Sequence, residues 1–237
     1  MNQELIADLH SQTKVLSARL SETVRGQEKQ IELLLCAFLT GGHVLLEDIP
    51  GTGKTTLAKA LATCSSLQFQ RIQFTPDLLP SDILGVSVFN PGSQTFEIHR
   101  GPVFTDILLA DEINRASPRT QSALLEAMGE RQISIEGKVH ELPEHFFVIA
   151  TQNPIEFHGT YPLPEAQMDR FSMRLKLGYV DAQTEMDIIS VMSGSQSPPV
   201  VEPCFDSTML ANFATASRAI PISEELKAYI VRLSQAT

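Results

Sequence analysis

Two glycines, a lysine and two threonines lie close together near the start of the chain, in an order that suits phosphate binding. Gly51 and Gly53 let the backbone turn so that its N–H groups point at an anion. Lys54 would reach the β- and γ-phosphates as a point charge, and the Thr55 hydroxyl would be a ligand of Mg²⁺. Thr55 and Thr56 open a helix, whose N-terminal N–H groups also favour phosphate. The pattern therefore predicts a nucleoside triphosphate site.

The residues before this loop fit the same interpretation, with one departure. The apolar run 44–46 predicts a buried strand, so strand, loop and helix follow one another in the order that a P-loop requires. The usual pattern asks for glycine five residues before Gly53, where this chain has Asp48. That exchange changes the start of the loop and leaves the Gly-Lys-Thr chemistry in place. The alternative is a surface loop that merely contains these residue types.

A second segment supplies the acids that a P-loop lacks. Asp111 closely follows the apolar run 107–109 and would hold the Mg²⁺ shell from the end of a neighbouring strand. Glu112, beside it, is the candidate for polarising the attacking water. Such a pair of acids can also simply solvate the end of a strand. The P-loop upstream favours the hydrolytic interpretation.

Composition restricts the class of protein. The 237 residues allow one large domain or one domain with a smaller appendage, and the hydrophobic content of 43% is enough for a substantial core. The net charge of −10 disfavours a broad nucleic-acid-binding surface. Cys36, Cys64 and Cys204 show no metal-ligand spacing, which favours reduced thiols and a cytoplasmic location. No signal peptide is evident, and the longest apolar run, 33–39, is too short to span a bilayer.

The remaining pattern predicts the elements that must position these residues. Apolar spacing and helix-start residues predict helices at 2–21, 27–40, 54–63, 117–128, 165–169, 181–192, 207–217 and 222–235, and a short one that begins at Thr75 and Pro76. Apolar runs and turn residues predict strands at 67–74, 146–150 and 173–177 and hairpins at 85–99 and 133–142. The strand at 146–150 ends in the polar run 151–154, and open α/β sheets bind ligands at such ends.

Five longer motifs follow one another along the chain: Ile49-Pro-Gly-Thr-Gly-Lys-Thr, Ala110-Asp-Glu-Ile-Asn-Arg-Ala-Ser-Pro, Gln121-Ser-Ala-Leu-Leu-Glu-Ala-Met, Ala150-Thr-Gln-Asn-Pro-Ile-Glu and Leu163-Pro-Glu-Ala-Gln-Met-Asp-Arg-Phe171. In this order they resemble the MoxR family of AAA+ ATPases, and the resemblance covers about residues 20–235. Asp48 fits as well, because Glu-Asp before the P-loop is common in that family.

The resemblance implies an α/β fold, an AAA+ P-loop NTPase with a five-stranded parallel sheet in the order 5-1-4-3-2. The two hairpins would be the helix-2 insert and the pre-sensor-1 insert, which usually face the central pore of a ring. Residues 1–178 would form the nucleotide-binding domain and residues 179–237 a partial helical lid. Such lids carry a late sensor 2 arginine, but no arginine in a fitting context is found beyond Arg232, which lies in mid-helix. We therefore expect an incomplete lid.

The resemblance also assigns roles to residues. Glu112 would orient water, Asn153 would be the sensor 1 residue, and Arg170 would be an arginine finger that acts on a neighbouring subunit. Lys54 would be catalytic as well as phosphate-binding. The metal ligands would be Thr55 and Asp111. The nucleotide would be bound by Gly26, Gln27, Asp48, Ile49, Pro50, Gly51, Thr52, Gly53, Lys54, Thr55 and Thr56.

Some of these assignments have simpler alternatives. Asn153 could cap the turn before Pro154. Arg170 could pair with Asp169 or Glu165 inside its own chain. Three other arginines, at 115, 119 and 131, could be solvated helix charges; we expect this of the last and regard the first two as interface candidates.

The expected function is ATP hydrolysis with Mg²⁺, coupled to the remodelling of a client protein. The resemblance implies a homo-oligomeric ring, a hexamer, and a client with a von Willebrand factor A domain as one candidate. A nucleic-acid motor is the rival, disfavoured because the hairpin tip at 90–93 has no Lys or Arg and the second hairpin has only Lys138 near its turn. A nucleotide-dependent scaffold with little turnover is a third alternative. No Asn-Lys-x-Asp motif supports a GTPase.

Overall fold

The elements alternate between strands and helices along most of the chain. The computed structural model describes residues 3–49, 51–154, 159–193 and 202–236. Its helices are α1 (Gln3–Thr23), α2 (Glu28–Leu39), α3 (Lys54–Cys64), α4 (Pro80–Leu84), α5 (Pro118–Glu130), α6 (Glu165–Met168), α7 (Ala182–Met192), α8 (Ser207–Arg218) and α9 (Glu224–Ala236). Its strands are β1 (Val44–Glu47), β2 (Phe69–Gln73), β3 (Gly85–Asn90), β4 (Thr95–Arg100), β5 (Ile107–Asp111), β6 (Gln132–Ile135), β7 (Lys138–Glu141), β8 (Phe147–Gln152) and β9 (Met173–Leu175).

Five strands form one parallel sheet in the order β2-β5-β8-β1-β9. Numbered among themselves along the chain, they have the predicted order 5-1-4-3-2. The α/β fold with this sheet is therefore confirmed. The order places the ends of β1, β5 and β8 side by side, and these are the strands that lead into the P-loop, the acid pair and Asn153.

The three central strands are buried on both faces, as their apolar runs predicted. Successive side chains point to opposite faces of the sheet. In β5, Ile107 and Leu109 join one core cluster, while Leu108 and Ala110 join another on the opposite face. The sheet thus separates two cores. Helices α1, α2 and α3 cover the first, and α5 covers the second.

Part of the chain after β9 also belongs to the first core. Phe205, just before α8, and Leu210 within it are buried in that cluster, and α8 packs against α1 and α2. The same segment brings together two cysteines that are far apart in sequence. The Cys204 N–H donates to the Cys64 carbonyl oxygen at 2.8 Å. Burial raises the pKa of Cys64 to about 12, and both side chains are free thiols.

Both predicted hairpins are present, β3–β4 and β6–β7, the second turning at Glu136 and Gly137 with positive φ values of 49° and 76°. No helix among the described residues is long and apolar enough to cross a membrane.

One local prediction was wrong. The short helix begins at Pro80, not at Thr75, because residues 75–78 form a turn closed by Leu78 N–H and the Thr75 carbonyl at 3.1 Å. The helix start is instead stabilised by Asp82, whose carboxylate accepts from Leu79 N–H at 2.9 Å. Arg131 is exposed, as expected of a solvated charge, but it also has partners in its own chain. Its guanidinium donates to the carbonyls of Gly41 and Glu144 at 3.0 and 3.2 Å, and so ties the end of α5 to two loops.

Candidate functional site

The predicted loop, acids and sensor residue converge on one polar cavity at the carboxyl end of the sheet. Its volume is about 380 Å³. The N-terminus of α3 forms one side, and the ends of β2, β5 and β8 form the other. The cavity is lined by Asp48, Gly51, Gly53, Lys54, Thr55, Thr56, Arg71, Gln73, Asp111, Glu112, Thr151 and Asn153. Distant parts of the sequence therefore meet as the motifs predicted.

The loop before α3 has the backbone conformation that its glycines allow. Gly51 and Gly53 have φ values of 89° and 88°, a region that costs an L-residue roughly 1–2 kcal/mol. The Thr52 hydroxyl donates to the Ile49 carbonyl at 3.3 Å and so closes the loop. Pro50, which we predicted to be part of the nucleotide site, lies outside the described residues.

Lys54 turns its ammonium back onto the loop. Nζ donates to the carbonyl oxygens of Asp48 and Ile49 at 3.0 and 2.7 Å. Burial lowers the pKa of Lys54, while the nearby carboxylates of Asp48, Asp111 and Glu112 act in the opposite direction. A cation solvated by carbonyl oxygens in a polar cavity is well placed to exchange them for phosphate oxygens.

Asp111 is held from two sides. Its Oδ2 accepts from Arg71 Nη2 at 2.6 Å, and its Oδ1 accepts from the Thr151 hydroxyl at 2.6 Å. Asp111 and Thr55 both line the cavity, and hydroxyl and carboxylate oxygens are the ligands that Mg²⁺ uses together with substrate phosphates. The donor types therefore fit a divalent cation, although Arg71 would have to give up Asp111 Oδ2 for a cation to bind there. Within the described ranges, no cluster of three or more His, Cys, Asp or Glu side chains could hold a metal alone.

Glu112 projects from a strained turn at the end of β5. Its φ of 56° and ψ of 51° are left-handed, a conformation that is uncommon outside glycine and is concentrated at functional sites. Its N–H donates to the Thr151 hydroxyl at 2.9 Å. Its Oε2 accepts from Gln73 Nε2 at 2.6 Å and from Arg115 Nη1 at 2.9 Å. Arg115, which we had considered for an interface, thus contacts Glu112 within its own chain.

Arg170 does not line this cavity in its own chain. Its guanidinium packs on Gly129 near the end of α5, where a Cβ atom would lie only 3.0 Å from Nη1. Because a helix rises about 1.5 Å per residue, that contact is roughly 17 Å along α5 from Pro118, the end that leads back to Glu112. Arg170 is exposed, and none of the ion pairs between described residues includes it, so the alternative pairing with Asp169 or Glu165 is not found.

A second, more apolar cavity of about 510 Å³ adjoins the first across the loop. Gly26 approaches Val180 so closely that a Cβ atom would lie 2.8 Å from Val180 Cγ1, and Gln27 is only 3% exposed. Apolar side chains from before α2 and from α7 could hold a base. The cavity is lined by Glu22, Thr23, Val24, Arg25, Gln27, Gly51, Thr52, Gly53, Thr56, Gly178, Tyr179, Val180, Glu185, Ile188, Ile189 and Val191.

Sequence reasoning missed three side chains that organise the acids. Arg71 and Gln73 stand on β2, beside β5, with Gln73 in register with Asp111. The two residues are exposed and lie two positions apart on the strand, so their side chains share one face of it. That spacing could have indicated that they act together. Thr151 belongs to the polar run that we had noted at the end of β8, but its bonds to both acids depend on the strand order.

Comparisons with known proteins bear on the family and the fold. The sequence model of the ATPase family associated with various cellular activities matches residues 43–173. YeaC of Bacillus subtilis is 44% identical over 230 residues, which cover 97% of this chain and 72% of YeaC. Chaperone MoxR1 of Mycobacterium tuberculosis is 40% identical over 233 residues, covering 98% of this chain and 61% of that protein. A crystal structure from Cytophaga hutchinsonii superposes with a TM-score of 0.88 at 40% identity and covers 98% of this chain and 70% of its own.

The parallel sheet, the glycine-rich loop and the acids at the end of β5 define a P-loop protein of the AAA+ class. Within that class, the chain belongs to the MoxR family of AAA+ ATPases. It spans 72% of the length of YeaC, 61% of MoxR1 and 51% of MoxR of Paracoccus denitrificans.

Proposed function

We propose that this chain binds ATP with Mg²⁺ and hydrolyses the bond between the β- and γ-phosphates. The observation that carries the proposal is the convergence of Lys54, Thr55, Asp111, Glu112 and Asn153 on one polar cavity. The adjoining apolar cavity, which is lined in part by Gln27, would hold the base. Because Gly26 has no side chain, Val180 can pack closely against it in the wall of this cavity. The two cavities share the loop between them, as one nucleotide would require.

Each residue has a defined part in the proposed reaction. The loop N–H groups and Lys54 would bind the phosphates, with Lys54 leaving the two carbonyls that it now contacts. Thr55 and Asp111 would hold Mg²⁺, which when bound offsets negative charge on the phosphates. Glu112 would orient the attacking water and accept its proton, and Asn153 would position that water. Gln73, Arg115 and Thr151 would fix the acid pair.

Glu112 Oε2 already accepts two hydrogen bonds, from Gln73 and Arg115. To accept a hydrogen bond from the attacking water, Glu112 must break its bond to Gln73 or bind the water in addition to these partners. If bound nucleotide does not release Gln73, turnover will be slow. This arrangement keeps the nucleotide-dependent scaffold as an alternative, which a rate measurement distinguishes.

We further propose that the chain acts in a homo-oligomeric ring, a hexamer, in which Arg170 completes the site of a neighbour. Its exposure and its distance from its own cavity support this assignment. The work of the ring would be chaperone-like maturation of a client protein, with a von Willebrand factor A domain protein as one candidate. Residues 1–178 would be the nucleotide-binding domain and 179–237 part of a lid, a division that limited proteolysis near residue 178 would test.

The rival, a nucleic-acid motor, finds little support in the hairpins. Phe89 and Phe96 are exposed by 48% and 66% on the β3–β4 hairpin, and their rings meet edge to face at 5.3 Å. The hairpin turn has no basic residue, whereas nucleic-acid affinity depends on Lys and Arg at the phosphates. An exposed aromatic pair is better suited to an apolar segment of a polypeptide.

Glu112→Gln separates binding from hydrolysis. Because the amide cannot accept a proton from water, we expect the hydrolysis rate to fall about 10²–10⁴-fold. Binding of a fluorescent ATP analogue should persist, since the phosphate contacts of Lys54 and the loop are intact. The measurement is phosphate release with Mg²⁺ and with EDTA, for wild type and variant. Equal rates in both proteins would refute the assignment, and a wild type that binds ATP without turnover would favour the scaffold.

A further inference from the structure

Asp48 stands where a P-loop normally has glycine, and its side chain has a task that glycine could not perform. The residue is only 8% exposed. Its Oδ2 accepts from Gly178 N–H at 2.7 Å, and its Oδ1 accepts from Ile49 N–H at 2.8 Å. One carboxylate therefore joins the start of the loop to a segment 130 residues later in the chain.

Gly178 lies where the chain leaves the sheet. It follows β9, precedes α7 and has a φ of 70°, a conformation that favours glycine. The Gln27 Nε2 atom lies 3.5 Å from its carbonyl oxygen. The N–H of Gly178 thus binds Asp48, which lines the first cavity, and its carbonyl faces Gln27, which lines the second.

The same loop carries the lysine that would respond to a ligand. Lys54 Nζ donates to the main-chain carbonyl of Asp48, the residue whose carboxylate binds Gly178. When Lys54 turns to phosphate, that carbonyl loses its cation and the start of the loop changes its hydrogen bonding. On the far side of the second cavity, α7 supplies Ile188, Ile189 and Val191 to the wall. A change in the position of Asp48 would therefore move Gly178, and with it the start of the segment that leads into α7.

We propose that Asp48 is a positioning residue that couples the phosphate site to α7 through the hydrogen bond to Gly178. This inference rests on the proposed nucleotide function. Asp48 does not need to touch the nucleotide; it sets the direction in which the chain leaves β9, and thus how closely α7 approaches the loop. The exchange of the usual glycine for an acid at this position is then part of how the two cavities respond together.

Hydrogen exchange of the full chain tests the coupling. Asparagine has the shape of aspartate but only one side-chain acceptor, so Asp48→Asn leaves either Ile49 N–H or Gly178 N–H without its partner. A hydrogen bond to a charged group contributes about 1.5–3 kcal/mol, so exchange in a peptide covering 176–181 should rise in Asp48→Asn where the amide oxygen turns to Ile49, and at least about tenfold in Asp48→Gly, which has no side chain to accept from Gly178 N–H. Adding ADP with Mg²⁺ should alter exchange in 176–190 of the wild type, and this response should be lost in the variant.

Glu47→Gln is the matched control, because Glu47 is an adjacent buried acid whose partners are Gln152 and Arg174 rather than Gly178. It should leave exchange at 176–181 within about twofold of wild type. Asp48→Gly, which restores the usual P-loop residue, provides a second variant with the same expected loss.

The inference is overturned if Asp48→Asn and Asp48→Gly protect 176–181 as well as wild type does, or if they keep the response to ADP. Binding of a fluorescent ATP analogue is measured in parallel. A wild type that binds no nucleotide refutes the proposed function itself. If wild type and variants all bind nucleotide and respond equally, only the coupling through Asp48 is refuted.

Discussion

At the scale of single residues, Lys54 shows how the site is held ready for an anion. Its ammonium is partly buried, and burial lowers its pKa because the charged form loses water. Two carbonyl oxygens replace some of that water, and three carboxylates stand nearby. A triphosphate would bring more negative charge to the same place. The lysine thus has carbonyl partners within the loop, and a phosphate would be a stronger one.

His43 is a buried titratable residue that the site does not use. Val148 N–H donates to its Nδ1 at 3.1 Å, so the proton lies on Nε2, which is 3.2 Å from the Met128 carbonyl. The ring lies against Phe146 and Phe147. Burial, the largest cause, lowers the pKa of His43 to about 4. The neutral tautomer therefore joins β8 to α5.

We predict that this histidine makes the protein less stable in mild acid. Between pH 6.5 and about 4 the unfolded chain binds a proton at His43 that the folded chain does not, so the free energy of unfolding falls as the pH falls. The contribution is present above pH 6.5, and its loss over this window is roughly 3 kcal/mol. Urea unfolding at several pH values should show that His43→Gln flattens this slope. His99→Gln, at an exposed position, should keep it, and equal slopes in all three proteins would contradict the prediction.

At the scale of elements, the sequence predicted what local pattern determines. The apolar runs of β1, β5 and β8 have no polar face, so their burial in a parallel sheet could be anticipated. The Gly-Lys-Thr loop and the Asp-Glu pair depend on short spacings and were also found. The start of α4 was misplaced because Thr75-Pro76 has a favoured N-cap residue, whereas the true start, Leu79-Pro80, has not. The true start is stabilised instead by Leu79 N–H, which donates to the Asp82 carboxylate.

Contacts across strands could not be predicted in the same way. Arg71 and Gln73 meet the acids because β2 is the neighbour of β5, although the two strands are separated by a helix and a hairpin in the chain. The Asp48–Gly178 bond likewise requires β9 to lie beside β1. Such pairs depend on topology, and a single sequence carries no local pattern for them.

The β3–β4 hairpin carries the prediction that belongs to this scale. Phe89 pairs with Phe96 across the two strands, and Val88 points to the opposite face. If the aromatic pair binds an apolar segment of a client, Phe96→Ser should weaken binding of a permanently unfolded polypeptide, such as reduced and carboxymethylated casein, about tenfold or more. Fluorescence anisotropy of labelled casein provides the measurement. Val88→Ser is the control, and equal losses in both variants would argue against a specific role for the aromatic face.

At the scale of the whole molecule, the two hydrophobic cores support the elements that form the site, and the cavity itself opens to solvent. The cluster around α1, α2 and α3 supports the P-loop helix, and the cluster around α5 supports the acids. Phe205 and Leu210 anchor α8 to the first cluster, whereas α7 lines the second cavity. Arg170 lies beyond both cavities, near the far end of α5. One chain therefore has most of the proposed hydrolytic site, and its Arg170 is exposed elsewhere.

That separation leads to a prediction about assembly. If Arg170 completes a neighbour's site, phosphate release per chain should rise with protein concentration. Arg170→Ala should lower the rate at high concentration by about 10³–10⁵-fold, the range known for arginine fingers. Arg170→Lys should not restore it, because an ammonium lacks the planar fork of donors. Gly129→Ala should reduce the rate in part, since the added Cβ would lie 3.0 Å from Nη1 and displace the guanidinium.

Mixing two inactive proteins gives the decisive form of this experiment. Arg170→Ala keeps Glu112, and Glu112→Gln keeps Arg170, so a mixed ring contains sites with an intact acid from one chain and an intact arginine from the other. Activity in the mixture, absent from either protein alone, would show that the site is shared between chains. If the mixture stays inactive and the wild-type rate per chain does not change with concentration, Arg170 has no role in a neighbour's site. The chain would then be a hydrolase that works as a monomer, with Arg170 serving α5 through Gly129.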